Sequence, residues 1–303
     1  MSSHHAHDHS HFGSLAKNGK KALITVLAIS ALYMVAEVVA GMLTGSLALI
    51  ADAGHMLGDV AALTLALLAA WFASRPASKS NTYGYFRSEI LAALLNGMAL
   101  LALSGFILYK AFFRIFTPTE VLSGPMLMVA ILGLGVNLLA MRILAPASGQ
   151  SLNMKAAYLE VIADMLGSVA VIGASILIML TGWTAIDPIV SAVIGLAIVP
   201  RTWLLVKQCV HILMEGTPSR IELDELSSAI LALPGVVDLH DLHVWSITSR
   251  RDAMSAHAVI SRSVAAEQVL TAITDLARER FDLHHTTIQV ESRECSVSQE
   301  ACH

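Results

Sequence analysis

Two pairs of ionisable side chains stand four residues apart inside apolar stretches. They are His55 and Asp59 in Gly54-His55-Met56-Leu57-Gly58-Asp59, and Glu160 and Asp164 in Glu160-Val161-Ile162-Ala163-Asp164. On a helix, positions i and i+4 project from one face, so two such helices side by side surround a point with four metal-ligating groups. One imidazole and three carboxylates suit Zn²⁺ or a neighbouring divalent ion. The plain alternative is that the pairs line a solvated cleft or hydrogen-bond between helices. Charges in hydrocarbon persist when they pair, face water or bind something, and four at matched spacing favour a metal site. With three carboxylates the site carries a formal charge of -3 against +2 on the ion, so it must retain a proton or tolerate surplus charge. Imidazoles titrate near neutrality, so metal and protons compete for such a site. Asp52, on nearly the same face as Asp59, either lines the access path or stands near the outer interface.

The elements that carry these pairs are membrane spans. Mean hydropathy is +0.67. The 303 residues are 55% apolar and 14% charged, against roughly 25% charged in ordinary soluble domains. Six stretches reach the ~20 residues that a bilayer requires: residues 22–43, 47–73, 90–115, 125–144, 156–180 and 186–206. The first is too long for a signal-peptide core and reads as a retained span. Short connections at Thr44-Gly45-Ser46 and Gly182-Trp183-Thr184 force antiparallel neighbours. Lys17, Lys20, Lys21, Arg75, Lys79, Arg87, Arg142, Lys155, Arg201 and Lys207 fall on one side, against Lys110 and Arg114 near the other, which puts both termini in the cytoplasm. The basic residues form no cluster, so nucleic-acid binding is not expected.

After residue 206 the pattern becomes that of a small soluble domain. Residues 221–233 and 265–281 have helical periodicity, and 236–247, 253–260 and 286–291 read as strands. The expected fold is therefore a six-helix membrane domain followed by a small cytoplasmic α+β domain of order αββαβ, an open, metallochaperone-like sheet with helices on one face. The expected domains are a His-rich leader at 1–14, a transmembrane domain at 15–208, a cytoplasmic domain at 209–293 and a tail at 294–303. Within the cytoplasmic domain His240, His257, His284 and Glu291 lie on or beside successive strands about 4.8 Å apart, with His243 and His285 as adjacent alternatives. Cys295, Cys302 and His303 either extend that site or belong to an incidental tail, and Cys209 reads as packing. No structural disulfide is called for. His4, His5, His7, His9 and His11 alternate with other residues, unlike a purification tag, and read as a weak metal-gathering leader. Glu37, Asn96 and Asp187 are path residues or, more plainly, an ion pair of Glu37 with Arg114 or Lys110, an interhelical hydrogen bond and an N-cap of the sixth span.

Four stretches carry a resemblance over essentially the whole chain. They are the second span from Ser46 to Asp59, Tyr83-Gly84-Tyr85-Phe86-Arg87-Ser88-Glu89, Ala157-Tyr158-Leu159-Glu160-Val161-Ile162-Ala163-Asp164, and His240-Asp241-Leu242-His243-Val244-Trp245. The sequence resembles the cation diffusion facilitator family of zinc transporters. Its zinc-selective members usually read His-x-x-x-Asp in the fifth span. Glu160 in place of that histidine looks like the branch associated with cobalt, zinc and cadmium resistance. The resemblance implies a membrane-embedded homodimer in the inner membrane that exchanges metal for protons by alternating access. It also implies zinc ligands at His240, His257, His284 and Glu291 near the dimer interface. A further loop site between the second and third spans is not expected, since residues 75–87 offer no acid or histidine. An intramembrane metalloenzyme is disfavoured by the lack of a His-Glu-x-x-His motif. A membrane metal sensor is the remaining alternative.

Overall fold

The structure is a computed structural model that describes residues 9–73, 75, 78–117, 119–147, 152–248 and 251–291. Six long helices come first: α1 (His9–Thr44), α2 (Leu47–Ala73), α3 (Arg87–Phe116), α4 (Ser123–Leu144), α5 (Leu152–Thr181) and α6 (Ile186–Leu213). Over the described residues, Ile24–Thr44, α3, α4, Tyr158–Thr181 and α6 are long and apolar enough to cross a membrane. With 27 residues α2 is roughly 40 Å long, sufficient for the sixth span. Leu32, Met128, Leu166 and Leu180 face outward, each more than 60% exposed, as a surface against hydrocarbon requires. Helix α1 already begins at His9, so it takes in the end of the expected leader. His4, His5 and His7 lie outside the described residues, as do Cys295, Cys302 and His303.

The chain divides into two compact units. The first, residues 1–64 and 95–204, is a helix bundle in which α4 packs along both α5 and α1. Its largest apolar cluster joins Ala48 and Leu49 of α2, Met126 and Ala130 of α4, Val171 and Ala174 of α5, and Ile186 of α6.

The start of α2 is fixed by side chains distant in sequence. Gly45 turns the chain at φ +71°, and Ser46 caps α2 by accepting the Leu49 amide at 3.2 Å on its Oγ. Asp187 was expected to cap α6, its own helix, but it sits inside the first turn of α6 and caps α2 instead. Its Oδ1 accepts from Ser46 Oγ at 2.6 Å and the Ala48 amide at 3.1 Å, and its Oδ2 accepts from the Leu47 amide at 2.8 Å. Arg114 completes this corner, donating to the Gly45 carbonyl at 2.6 Å and standing 3.8 Å from Asp187. A carboxylate on free amides at a positive helix end explains why a fully buried aspartate is tolerated there. Arg114 is thereby unavailable to Glu37. The Glu37 carboxylate instead accepts from Tyr33 Oη at 3.0 Å and lies against Asp52.

The second unit, residues 65–94 and 205–303, carries α7 (Leu223–Leu231), β1 (Val236–Thr248), β2 (Arg251–Ile260), α8 (Ala266–Phe281) and β3 (His285–Glu291). Strand β2 is central, antiparallel to β1 and parallel to β3. Leu226 and Ile230 of α7 and Val269, Ile273 and Ala277 of α8 join Val244, Met254 and Ala258 of the sheet in one core. The expected αββαβ order and its boundaries hold to within about two residues. In the same unit the α2–α3 connection and the start of α3 meet the C-terminal residues: Arg87 pairs with Glu215 at 3.0 Å, Thr248 of β1 donates to Glu89 at 2.8 Å, and Tyr83 packs edge-on against His285 of β3.

Candidate metal centres

The turn of α2 from Gly54 to Asp59 serves two neighbours at once. Gly54 and Gly58 are four residues apart, and each precedes a potential ligand by one position, or ~100° around the helix. A Cβ on Gly58 would lie 2.6 Å from Leu100, and one on Gly54 would lie 2.7 Å from Leu103, so α3 packs against bare backbone there. Asn96 donates to the Gly58 carbonyl at 3.2 Å, the plain interhelical hydrogen bond considered for it. With the glycine face taken by α3, His55 and Asp59 are left to face α5.

There they meet the second pair. Ligand atoms of His55, Asp59 and Glu160 all lie within 4.8 Å of one another. His55 Nε2 is 3.6 Å from Glu160 Oε1 and 3.7 Å from Asp164 Oδ1. Those separations exceed hydrogen-bonding distance, but they approach the ~3.3 Å between ligand atoms around a tetrahedral ion with bonds of ~2.0–2.1 Å. Asp59 Oδ2 and Asp164 Oδ1 are buried without a hydrogen-bond partner, lone pairs that an ion would satisfy. His55, Asp59 and Glu160 are thus brought together, and Asp164 stands beside them against His55. Asp52 is buried in the bundle: it is 3% exposed, faces Glu37, and stands where a Cβ on Gly167 would come within 2.5 Å of its Oδ1.

One participant was not anticipated. Arg201 of α6, counted above only as a flanking positive charge, donates to Glu160 Oε1 at 2.5 Å. The surplus negative charge of the quartet was the available signal for a nearby cation. Which of several arginines supplied it depended on how α6 packs.

A second cluster lies on the sheet. His240 pairs with His257 across β1 and β2, and Glu291 ends β3 one residue beyond the partner of Ala258. Glu291 Oε1 is 3.0 Å from His257 Nδ1, its Oε2 is 3.7 Å from His240 Nε2, and the three ligand atoms lie within 4.8 Å of one another. Glu291 Oε2 is buried and has no hydrogen-bond partner. His284 is not brought to this cluster: it lies just before β3 and pairs with Asp282 at 2.8 Å. Asp241 approaches His257 from its other ring nitrogen. An irregularity between His240 and His243 sets Asp241 at φ +52° and brings its Oδ2 to 3.6 Å from His257 Nε2. The alternative His243 is held by the same Asp241 at 2.7 Å. A strand irregularity is invisible to alternating-pattern reasoning, which is why Asp241 was missed.

Residues 23–214 match the family model described as the cation efflux transmembrane domain, and residues 218–293 match that of the cation efflux protein cytoplasmic domain. The metal cation efflux system protein CzcD of Cupriavidus metallidurans is 43% identical over 304 residues, covering 100% of this chain and 94% of that protein. The zinc transporter ZitB of Pectobacterium atrosepticum is 40% identical, covering 96% of this chain and 90% of its own length. A cadmium, cobalt and zinc/H⁺-K⁺ antiporter of Bacillus velezensis is also 40% identical, covering 94% and 92%. Among solved structures, the metal-bound C-terminal domain of the Cupriavidus metallidurans CzcD transporter is 39% identical over 23% of this chain and 99% of that one, with a TM-score of 0.23. Six long helices, a polar quartet within them, a cytoplasmic-type αββαβ domain and a family match across both units lead to one assignment: the chain belongs to the cation diffusion facilitator family of multi-pass metal cation efflux transporters.

Proposed function

We propose that this protein is a proton-coupled antiporter that exports Zn²⁺ from the cytoplasm, with Cd²⁺ and Co²⁺ as further substrates. It works as a homodimer among the lipids of the inner (cytoplasmic) membrane, with both termini in the cytoplasm. The observation that carries this reading is that His55, Asp59 and Glu160 bring ligand atoms within 4.8 Å of one another between α2 and α5, with Asp164 3.7 Å from His55. The substrate ion is held by these four side chains. Protons compete for the same lone pairs, so an ion taken from one side is released on the other in exchange for protons, by alternating access. The names of the relatives support the substrate range and the coupling.

On the sheet, His240, His257 and Glu291 hold a structural or regulatory divalent ion, Zn²⁺ foremost. His284 has no part in that set within one protomer.

The test is flux in proteoliposomes under an imposed pH gradient, with Zn²⁺, Cd²⁺, Co²⁺ and Mn²⁺ compared in parallel. Zinc movement that depends on the gradient, and its loss to background in Asp59→Ala and Asp164→Ala at normal insertion, are expected. Normal flux in either variant would exclude the quartet. No flux in the unmodified protein would favour a metal sensor.

A further inference from the structure

Glu160 carries the third carboxylate of the quartet, and its Oε1 is held by the Arg201 guanidinium at 2.5 Å. Among the described residues this is the one Lys or Arg side chain paired with a member of the quartet. Arg201 follows Pro200 within α6, its side chain is 68% exposed, and Glu160 is 20% exposed. An arginine at the end of a long stem thus reaches from an open side of the bundle to the edge of the site, while Asp59 and Asp164 keep unpartnered oxygens inside it.

Counted over the quartet and its guanidinium, the formal charges balance against a divalent ion. Three carboxylates and one guanidinium give -2, which a divalent ion brings to zero. Without the guanidinium the site would hold -3 and would bind its cargo more tightly than a transporter that must release it requires.

We propose that Arg201 is a positioning and affinity-setting residue for transport: a fixed counter-charge that orients Glu160 and matches the site to a divalent ion. The inference rests on the transport reading of the quartet. A unit charge a few ångström from the ion, at the effective dielectric of a protein, is worth about tenfold or more in binding. Removing it strengthens binding and slows release. Lysine keeps the charge without the planar fork, so it preserves affinity better than geometry.

The experiment measures KM and maximal rate of zinc flux in proteoliposomes for the unmodified protein, Arg201→Gln, Arg201→Lys, Glu160→Gln and Glu160→Gln with Arg201→Gln, with Asp164→Ala as the inactive control. The proposal expects Arg201→Gln to lower KM about tenfold and to lower the maximal rate by a similar factor. Arg201→Lys should restore most of both. Arg201→Gln should change little once Glu160 is glutamine, since the surplus charge is then gone. Unchanged kinetics in Arg201→Gln, or a raised KM that lysine does not rescue, would overturn the proposal, the first marking a surface ion pair and the second a merely structural arginine. If the unmodified protein moves no zinc, or Asp164→Ala moves it normally, the transport reading itself fails. If those two behave as expected and only the arginine variants do not, the failure belongs to Arg201 alone.

Discussion

Replacing Asp187 by alanine should unsettle the metal site without touching a ligand. Its carboxylate is completely buried, accepts from Ser46 Oγ, the Leu47 amide and the Ala48 amide at 2.6, 2.8 and 3.1 Å, and stands 3.8 Å from Arg114. Alanine leaves two amides at the head of α2 without acceptors and Arg114 without its counter-charge. An N-cap alone is worth about 1 kcal/mol. Loss of one member of a buried, hydrogen-bonded charge pair costs about 3–5 kcal/mol, and the larger figure governs here because the Asp187 carboxylate is completely buried. His55 lies two turns further along the same helix, so a frayed α2 start also lowers zinc affinity. The assay is denaturant unfolding in micelles followed by far-ultraviolet circular dichroism, with zinc isotherms on the same samples. Asp187→Ala should fall about 3–5 kcal/mol below the unmodified protein and Ser46→Ala only about 1. Adding Arg114→Met to Asp187→Ala should cost less than Arg114→Met alone, because the arginine has already lost its partner. A loss below 1 kcal/mol in Asp187→Ala, with an unaltered zinc isotherm, would show that the capping hydrogen bonds do not hold α2.

Gly58→Val should disrupt the α2–α3 contact, since its Cβ would fall 2.6 Å from Leu100 and a second branch has nowhere to go; overpacking costs about 1–3 kcal/mol, and Gly58→Val with Leu100→Ala should recover part of it in the same unfolding assay. Glu291→Ala should remove about one zinc equivalent per protomer in calorimetry of the full chain and leave the quartet's equivalent intact, whereas His284→Ala should remove none; a full stoichiometry in Glu291→Ala would refute the sheet site. Glu160→His should narrow selectivity towards Zn²⁺ over Co²⁺ and Mn²⁺, because imidazole adds a nitrogen donor, but it should also weaken binding by stranding Arg201 beside the ion. Affinity should return in Glu160→His with Arg201→Gln, and an unchanged metal ranking in both would mean that position 160 does not contact the ion.

Legibility in the sequence followed the range over which each interaction acts. The quartet was visible because i, i+4 spacing is a property of a single helix, and the cost of charge in hydrocarbon singled out the helices that carry it. The αββαβ domain was visible for the same reason: its helices and strands each carry their own period. Asp187 was misassigned because a cap from a neighbouring helix has no local signature, whereas a cap of its own helix does. The approach of Asp241 to His257 had no signature in the sequence because strand alternation assumes an unbroken register, and the sheet breaks register between His240 and His243. Arg201 passed as a topological marker because a positive charge at the end of a span is ordinarily that and nothing more.

These corrections share a physical cause that bears on how the transporter works. The groups that were missed or misassigned all act between elements: Asp187 of α6 on the head of α2, Arg201 of α6 on Glu160 of α5, and Asp241 on the facing His257. Helix α6 therefore touches the transport quartet's supports twice, once at the capped end of α2 through a buried, desolvated carboxylate and once at Glu160 through a largely exposed arginine. The two contacts differ in what it takes to break them. Breaking the first leaves a buried charge unpaired and costs several kcal/mol. The second is partly solvated, and as a contact it is worth about 1 kcal/mol or less, so its weight lies in the charge it brings to Glu160.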